Sequence, residues 1–289
     1  MCSVCGCSSD EMHLEGGALG HHHDHAHEHD HSHDHSHAHS HAPGLSAPRK
    51  VQIEQDILAH NNALAAHNRR FFERHGILAL NLVSGPGAGK TTLLVRTIEQ
   101  LKARVGIQVI EGDQQTSLDA ERIRATGVPA VQINTGKGCH LDAHMVGHAI
   151  ERLQPADASL LLIENVGNLV CPAAFDLGER HKVLILSVTE GEDKPLKYPD
   201  MFRAADVLLI NKCDLLPHLS FDIEQAEAHA RRVKPGLTIF RVSASTGAGL
   251  DEWLAWVETA LAAQASNPGA SIDALQQRVR ELERQLAAK

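Results

Sequence analysis

Apolar positions change rhythm twice along the chain. From Val51 to about Phe72, Ile53, Ile57, Leu58 and Leu64 recur at turn-like spacing, which predicts one amphipathic helix. After Gly76 the rhythm becomes short unbroken apolar runs at 77–83, 107–110, 130–133, 159–163, 183–188 and 206–210, with a weaker one at 237–242. Helical stretches lie between most of them. Buried runs alternating with helices predict an α/β fold: a mostly parallel, twisted sheet with helices on both faces. Ligands of such sheets sit beyond the carboxyl ends of the strands, so chemistry is sought in the turns after those runs. Beyond Ser266-Asn267-Pro268-Gly269, Ile272, Leu275, Val279, Leu282 and Leu286 fall three and four apart. Two heptads are marginal alone, and they read either as a helix docked on its own domain or solvated, or as a self-associating one.

The N-terminal 48 residues carry no such rhythm. In residues 21–42 His alternates with Asp, Glu, Ser and Ala, which leaves almost nothing to bury against the entropy of ordering; the tract is expected to be disordered without metal. A linker follows from Ala42-Pro43-Gly44 to Pro48. The expected division is a Cys/His-rich metal-binding extension, largely disordered, over 1–48, an α/β domain over 49–265, and a heptad-like helix over 266–289.

Composition narrows the class. With 289 residues, 43% hydrophobic, 22% charged and only 3% aromatic, this is an ordinary soluble globular composition with an aliphatic core. A net charge of −9 argues against a general nucleic-acid or anionic-membrane binder. No apolar stretch nears the roughly 20 residues of a membrane span. The first twenty residues hold three cysteines and acids, without a basic start or long apolar run, so no secretory signal is read and a cytoplasmic setting is expected. In that compartment the six cysteines read as metal ligands or reactive thiols before disulfides. More than half of the 22 histidines lie in the one short tract.

The run Leu80-Asn81-Leu82-Val83 leads into Ser84-Gly85-Pro86-Gly87-Ala88-Gly89-Lys90-Thr91-Thr92 and then a helical stretch. This is a phosphate loop: glycines let backbone N–H groups wrap a phosphate chain at a helix N-terminus. Gly85, Gly87, Ala88, Gly89 and Thr92 line the nucleotide, Lys90 reaches the β and γ phosphates, and Thr91 ligates Mg²⁺. The strict pattern wants glycine at Ser84; here it comes one residue later. After the run 206–210 stands Asn211-Lys212-Cys213-Asp214, the N-K-x-D pattern of guanine readers. A carboxylate at Asp214 accepts from guanine N1–H and the 2-amino group, whereas adenine would leave it unpaired at a cost of about 1–3 kcal/mol. Lys212 lays its stem along the base, Asn211 ties this loop to the phosphate loop, and Ser243-Ala244 complete the pocket through a backbone N–H. Asp113 and Glu164, each at a strand end, are expected beside the Mg²⁺, directly or through water. Lys90, Asp113 and Glu164 are the candidate catalytic residues. No glutamine stands ready to orient an attacking water, so intrinsic GTP hydrolysis is expected to be slow.

Three constellations offer soft or borderline metal ligands. Cys2, Cys5 and Cys7 fall in Cys-Ser-Val-Cys-Gly-Cys, where Gly6 allows the tight turn that brings the third sulfur onto one cation. A redox Cys-x-x-Cys opens a helix in a thioredoxin-like unit, which nothing here resembles. The His21 to His41 tract offers many weak, exchanging imidazole sites, better suited to storage than to catalysis. Cys139-His140, expected at a helix start, and Cys171, after Glu164-Asn165-Val166-Gly167-Asn168, form a third set, although each cysteine taken singly is more often a small buried hydrophobe than a ligand. His144 and His148 are expected on the helical face of His140, either as auxiliary ligands or as a solvated stripe.

Together these motifs resemble the HypB family, the GTPases that assist nickel insertion into nickel–iron hydrogenases. The resemblance rests on Cys-x-x-Cys-Gly-Cys, the histidine tract, the phosphate loop (where Ser84 is acceptable), Gly138-Cys139-His140, Glu164 to Asn168 with Cys171-Pro172, and Asn211 to Asp214. It implies the P-loop GTPase fold of signal-recognition and nitrogenase-iron-protein NTPases, with GTP/GDP and Mg²⁺ as cofactors and GTP-dependent homodimers. It also implies a tight nickel site at Cys2, Cys5 and Cys7. A weaker Ni²⁺ or Zn²⁺ site is implied at Cys139, His140 and Cys171, near the dimer interface. A HypA-type nickel accessory protein and a hydrogenase large subunit are the implied partners. A nickel or zinc storage protein, and a metallochaperone GTPase for another metalloenzyme such as urease, remain the alternatives.

Overall fold

The computed structural model describes residues 13–15, 47–113, 118–136 and 138–266. Cys2, Cys5, Cys7, the His21 to His41 tract and the heptad pattern after Pro268 lie outside the described residues. The described strands are β1 (His13–Glu15), β2 (Leu78–Ser84), β3 (Ile107–Asp113), β4 (Ala130–Asn134), β5 (Leu160–Glu164), β6 (His181–Ser187), β7 (Val207–Asn211) and β8 (Thr238–Arg241). They form one sheet in the order β1-β4-β3-β5-β2-β6-β7-β8. Strands β2 to β8 run parallel and coincide with the seven apolar runs. Only β1, inside the N-terminal extension, pairs antiparallel, on the β4 edge.

The helices are α1 (Ala47–Arg74), α2 (Lys90–Leu101), α3 (Leu118–Arg124), α4 (Ala143–Leu153), α5 (Cys171–Ala174), α6 (Lys194–Lys197), α7 (Pro199–Ala204), α8 (Ile223–Val233) and α9 (Leu250–Ala265), with a 3₁₀ turn at Cys213–His218. Strand alternation decides which helix covers which face. Leu78, Leu80 and Leu82 pack against Leu93, Leu94 and Ile98 of α2 and Trp253 and Val257 of α9. On the other face Ala79, Leu161 and Ile163 meet Phe72 of α1 and Val146 and Ala149 of α4. Farther along that face Leu184, Leu186 and Leu208 meet Met201 and Phe202 of α7 and Ala230 of α8. Between these last two clusters the register partners Asn81 of β2 and Lys182 of β6 put a polar seam into an otherwise apolar surface.

Helix α1 is longer than its apolar spacing predicted, and its buried asparagines explain its place. Asn61 donates to Asp176 O (2.8 Å) and accepts from Ala143 N (2.9 Å). Asn68 donates to Ala143 O (2.8 Å) and Leu177 O (3.0 Å). Arg69 adds a two-pronged contact to Asp176, 2.7 Å to each oxygen. The helix thus fixes both the start of α4 and the loop after α5. Gly178, at φ +92°, lets that loop approach, because a Cβ there would lie 2.6 Å from Ala65 O. Among the described residues no helix is long and apolar enough to cross a membrane.

Among the described residues Trp253 is the largest fully buried side chain. Its indole N–H donates to Thr97 Oγ1 (3.0 Å) and its ring stacks on Trp256 at 5.4 Å. Trp253→Ala should therefore lower stability by about 3–5 kcal/mol through lost burial and an unfilled cavity. Urea unfolding checks this, and a change within experimental error would contradict the packing described.

Candidate functional site

The carboxyl edge of the sheet carries the predicted chemistry. Strand β2 ends in the phosphate loop, where Gly87 (φ +74°) and Gly89 (φ +88°) take left-handed backbone. At Gly89 the constraint is also one of space, since a Cβ would lie 2.7 Å from Asn211 Nδ2. Lys90 and Thr91 open α2, and both turn to one carboxylate oxygen. Glu164 Oε1, at the end of β5, accepts from Lys90 Nζ (2.9 Å) and Thr91 Oγ1 (2.7 Å). Its other oxygen is buried without a hydrogen-bond partner. A cavity of about 590 Å³ opens here, lined by Ser84 to Thr92 together with Asp113, Glu164, Arg122 and Lys212. Lys90, Thr91, Asp113 and Glu164 are thus brought together as expected. Their hydroxyl and carboxylate oxygens are the donor set a hard divalent cation takes.

The second loop lies beside the first. Asn211 Nδ2 donates to Ala88 O (3.0 Å) and Lys212 Nζ to Gly87 O (2.7 Å), so the tie expected of Asn211 is present. Asp214 accepts from Ser243 Oγ (2.6 Å) and Ser245 Oγ (3.3 Å). The Ser243 hydrogen bond, above all, holds this exposed carboxyl below its usual range. Of the Ser243-Ala244 pair, from which a backbone N–H to the base is expected, Ala244 N donates to Asn211 Oδ1 (3.1 Å) and Ser243 N to Ala248 O (2.8 Å).

The third constellation is also assembled. The ligand atoms of Cys139, His140 and Cys171 all lie within 4.8 Å of one another, the two sulfurs 2.9 Å apart. Cys139 and His140 do not open a helix, as the sequence suggested, but precede α4, whose N-cap is Asp142 accepting from Met145 N (2.8 Å). His144 and His148 consequently leave the face of His140 and pair with each other on α4, Nε2 to Nε2 3.1 Å. Burial lowers the His140 pKa, which favours the neutral imidazole that binds metal. The ring lies 4.0 Å from that of Phe175.

One stretch of backbone touches both pockets. It leaves β5 at Glu164. Asn165 Oδ1 accepts from Leu141 N (3.0 Å), and a Cβ on Gly167 would lie 3.3 Å from Pro86 of the phosphate loop. Asn168 Nδ2 donates to Cys139 O (3.3 Å), and the stretch then reaches Cys171. Gly112, between Glu111 and Asp113, is more tightly confined: a Cβ there would lie 2.7 Å from the Leu141 side chain.

Comparison with known proteins decides the family. Residues 79–241 match the family model described as "CobW/HypB/UreG, nucleotide-binding domain". The hydrogenase maturation factor HypB of Azotobacter vinelandii is 65% identical over 242 residues, 84% of this chain and 79% of that protein. The chain belongs to the HypB family. HypB of Escherichia coli is 61% identical over 218 residues, 75% of each chain. Among solved structures, HypB from Archaeoglobus fulgidus has TM-score 0.66 and 43% identity, covering 70% of this chain and 99% of its own. HypB from Helicobacter pylori, solved in complex with nickel, has TM-score 0.66 and 37% identity, covering 71% and 97%. The chain accordingly carries that family's nucleotide-binding domain on a P-loop GTPase fold.

Two residues of this HypB-family site escaped the sequence reading. Arg122 of α3 donates to Thr92 Oγ1 (3.0 Å), which sets a guanidinium on the rim of the nucleotide cavity. Glu111 of β3 stands in register with Glu164 and is 2% exposed. Its only sequence signal is an acid directly after the apolar run at 107–110. Burial, reinforced by Glu164 and Asp113 and partly offset by Lys90, pushes its carboxyl from 4.5 up to about 8. Folding therefore takes up a proton there: the penalty is absent below the unfolded value of 4.5, grows with pH, and is complete above about 8. Glu111→Gln removes it. The nucleotide-free, metal-free variant should melt higher than the parent at about pH 8.5, the gap closing as pH falls towards about 4.5. Equal melting temperatures at the higher pH would contradict this.

Proposed function

We propose that this HypB-family chain is a GTP-hydrolysing nickel metallochaperone in which nucleotide state controls the sulfur pocket during nickel–iron hydrogenase maturation. The observation that carries this reading is the shared carboxylate: Lys90 and Thr91 both bind Glu164 Oε1, and Glu164 begins the stretch that ends at Cys171. In the bound state Lys90 serves the phosphates and Thr91 the Mg²⁺, so neither is left for Glu164 alone. The stretch through Asn165, Gly167 and Asn168 is then free to move Cys171 relative to Cys139 and His140. Gly85, Gly87, Ala88, Gly89 and Thr92 cradle the phosphates, with Asp113 and Glu164 beside Thr91 around Mg²⁺, which neutralises phosphate charge when bound. Asn211, Lys212, Asp214, Ser243 and Ala244 form the base pocket.

Ni²⁺ is the cargo at Cys139, His140 and Cys171. The nickel-bound Helicobacter relative supports that choice, and Zn²⁺ suits the same ligands. Cys2, Cys5 and Cys7 form a second nickel site on an extension over 1–48, ahead of the GTPase domain over 49–265. GTP favours a homodimer, hydrolysis is slow, and a HypA-type accessory protein and a hydrogenase large subunit are the cytoplasmic partners.

Two measurements test the coupled reading. Asp214→Asn should weaken GTP about tenfold or more and favour xanthosine nucleotides, because the carboxylate no longer matches guanine. Unchanged GTP affinity by titration refutes the base assignment. Nickel affinity should differ between the GDP form and a form with a non-hydrolysable GTP analogue by about 5- to 150-fold, with nickel changing nucleotide affinity by the same factor. Identical nickel titrations in the two forms remove the coupling.

A further inference from the structure

Lys182 is a lysine inside the sheet, 6% exposed, on a strand whose next residues are Val183, Leu184 and Ile185. A buried ammonium is costly unless every donor is satisfied and a counter-charge stands near. Here the partners all belong to one place. Lys182 Nζ donates to Pro172 O (2.7 Å) and Phe175 O (3.1 Å), the carbonyls of α5 and of the residue after it. Its counter-charge is Glu179, Oε1 at 3.7 Å. Glu179 is itself held by Asn81 Nδ2 (2.9 Å) and Leu177 N (2.7 Å). Asn81 Oδ1 in turn accepts from Asn165 Nδ2 (3.3 Å).

A cation that only filled space in the seam would have no reason to fasten one four-residue helix. The helix it fastens begins at Cys171, and the residue after it, Phe175, packs on the His140 ring. We infer that Lys182 is the positioning residue of the sulfur pocket: through the Pro172 and Phe175 carbonyls it holds the Cys171 thiol against Cys139 and the Phe175 ring against His140. Glu179 supplies the counter-charge that aims Lys182. Neither side chain touches the metal; they act by fixing the backbone that presents its ligands. This rests on the reading of Cys139, His140 and Cys171 as a metal pocket.

The test uses the full chain with Cys2→Ser, Cys5→Ser and Cys7→Ser, titrated with Ni²⁺ and followed by the thiolate-to-nickel charge-transfer band, which imidazole sites in the histidine tract do not give. Lys182→Met should weaken nickel binding at this band by about ten- to a hundredfold, the range for a residue that supports metal ligands from behind, and shift the band's position. Lys182→Arg, which keeps a charged donor for the two carbonyls, should retain the parent's band. If Lys182→Met alone does not fold, Lys182→Met with Glu179→Gln, which leaves no unpaired buried carboxylate, decides. A folded variant lacking the lysine with the parent's affinity and spectrum overturns the proposal. Cys171→Ser in the same background separates the two ideas. If it leaves the band intact the metal-pocket reading itself fails, and if it abolishes the band while Lys182→Met changes nothing, only the positioning role fails.

Discussion

One carboxylate oxygen, Glu164 Oε1, takes hydrogen bonds from the lysine and the threonine that the phosphate loop presents, 2.9 and 2.7 Å away. A buried acid of this kind is tolerable only while its charge is compensated, and here the compensation comes from the groups a nucleotide also needs. The same carboxyl end holds Glu111 in register, so two acids share one low-dielectric corner, with the Lys90 ammonium partly offsetting their repulsion. One oxygen of each acid is left buried without a hydrogen-bond partner, and Glu111 answers the shared burial by holding its proton well above the usual carboxylate range.

The rest of the molecule keeps that corner in register with the sulfur pocket. A parallel sheet sets the carboxyl ends of β3, β5 and β2 side by side, with β7 one strand farther along past β6, which delivers phosphate loop, acids and base-reading loop to one edge. On the opposite side from α2 and α9, α1 provides the scaffold for the thiols. Its asparagines bond to the backbone of Ala143, Asp176 and Leu177, so the segments flanking both cysteines hang from one helix. Such bonds are directional where hydrophobic packing is not. They fix where α4 starts and how the loop after α5 runs, which apolar burial alone would leave free to slide.

The seven parallel strands, the phosphate loop and Asn211 to Asp214 were readable from the sequence because their chemistry is local. A glycine that needs positive φ, or a carboxylate set two residues beyond a lysine, is written in consecutive letters. The pairing of Cys139 with Cys171 was suggested by motif, but its closeness depends on two separate loops meeting. The helix start at Cys139-His140 was misjudged because Asp142 competes as N-cap, and its bond to Met145 N sets the boundary three residues later. Glu111 and Lys182 could not be read as site residues at all. Their roles come from strand order and register, which place Glu111 beside Glu164 and Lys182 beside Asn81, and neither relation exists in a linear string.

Gly112 has a consequence of its own. With the Leu141 side chain 2.7 Å from where its Cβ would sit, the wall between the acid corner and the loop bearing His140 is a bare main chain. Neither compartment can grow at the other's expense, and a bulkier residue on one side would have to be matched by a smaller one opposite. Drift at positions 112 and 141 should therefore be concerted, with the two chambers inherited as one unit rather than as separable modules.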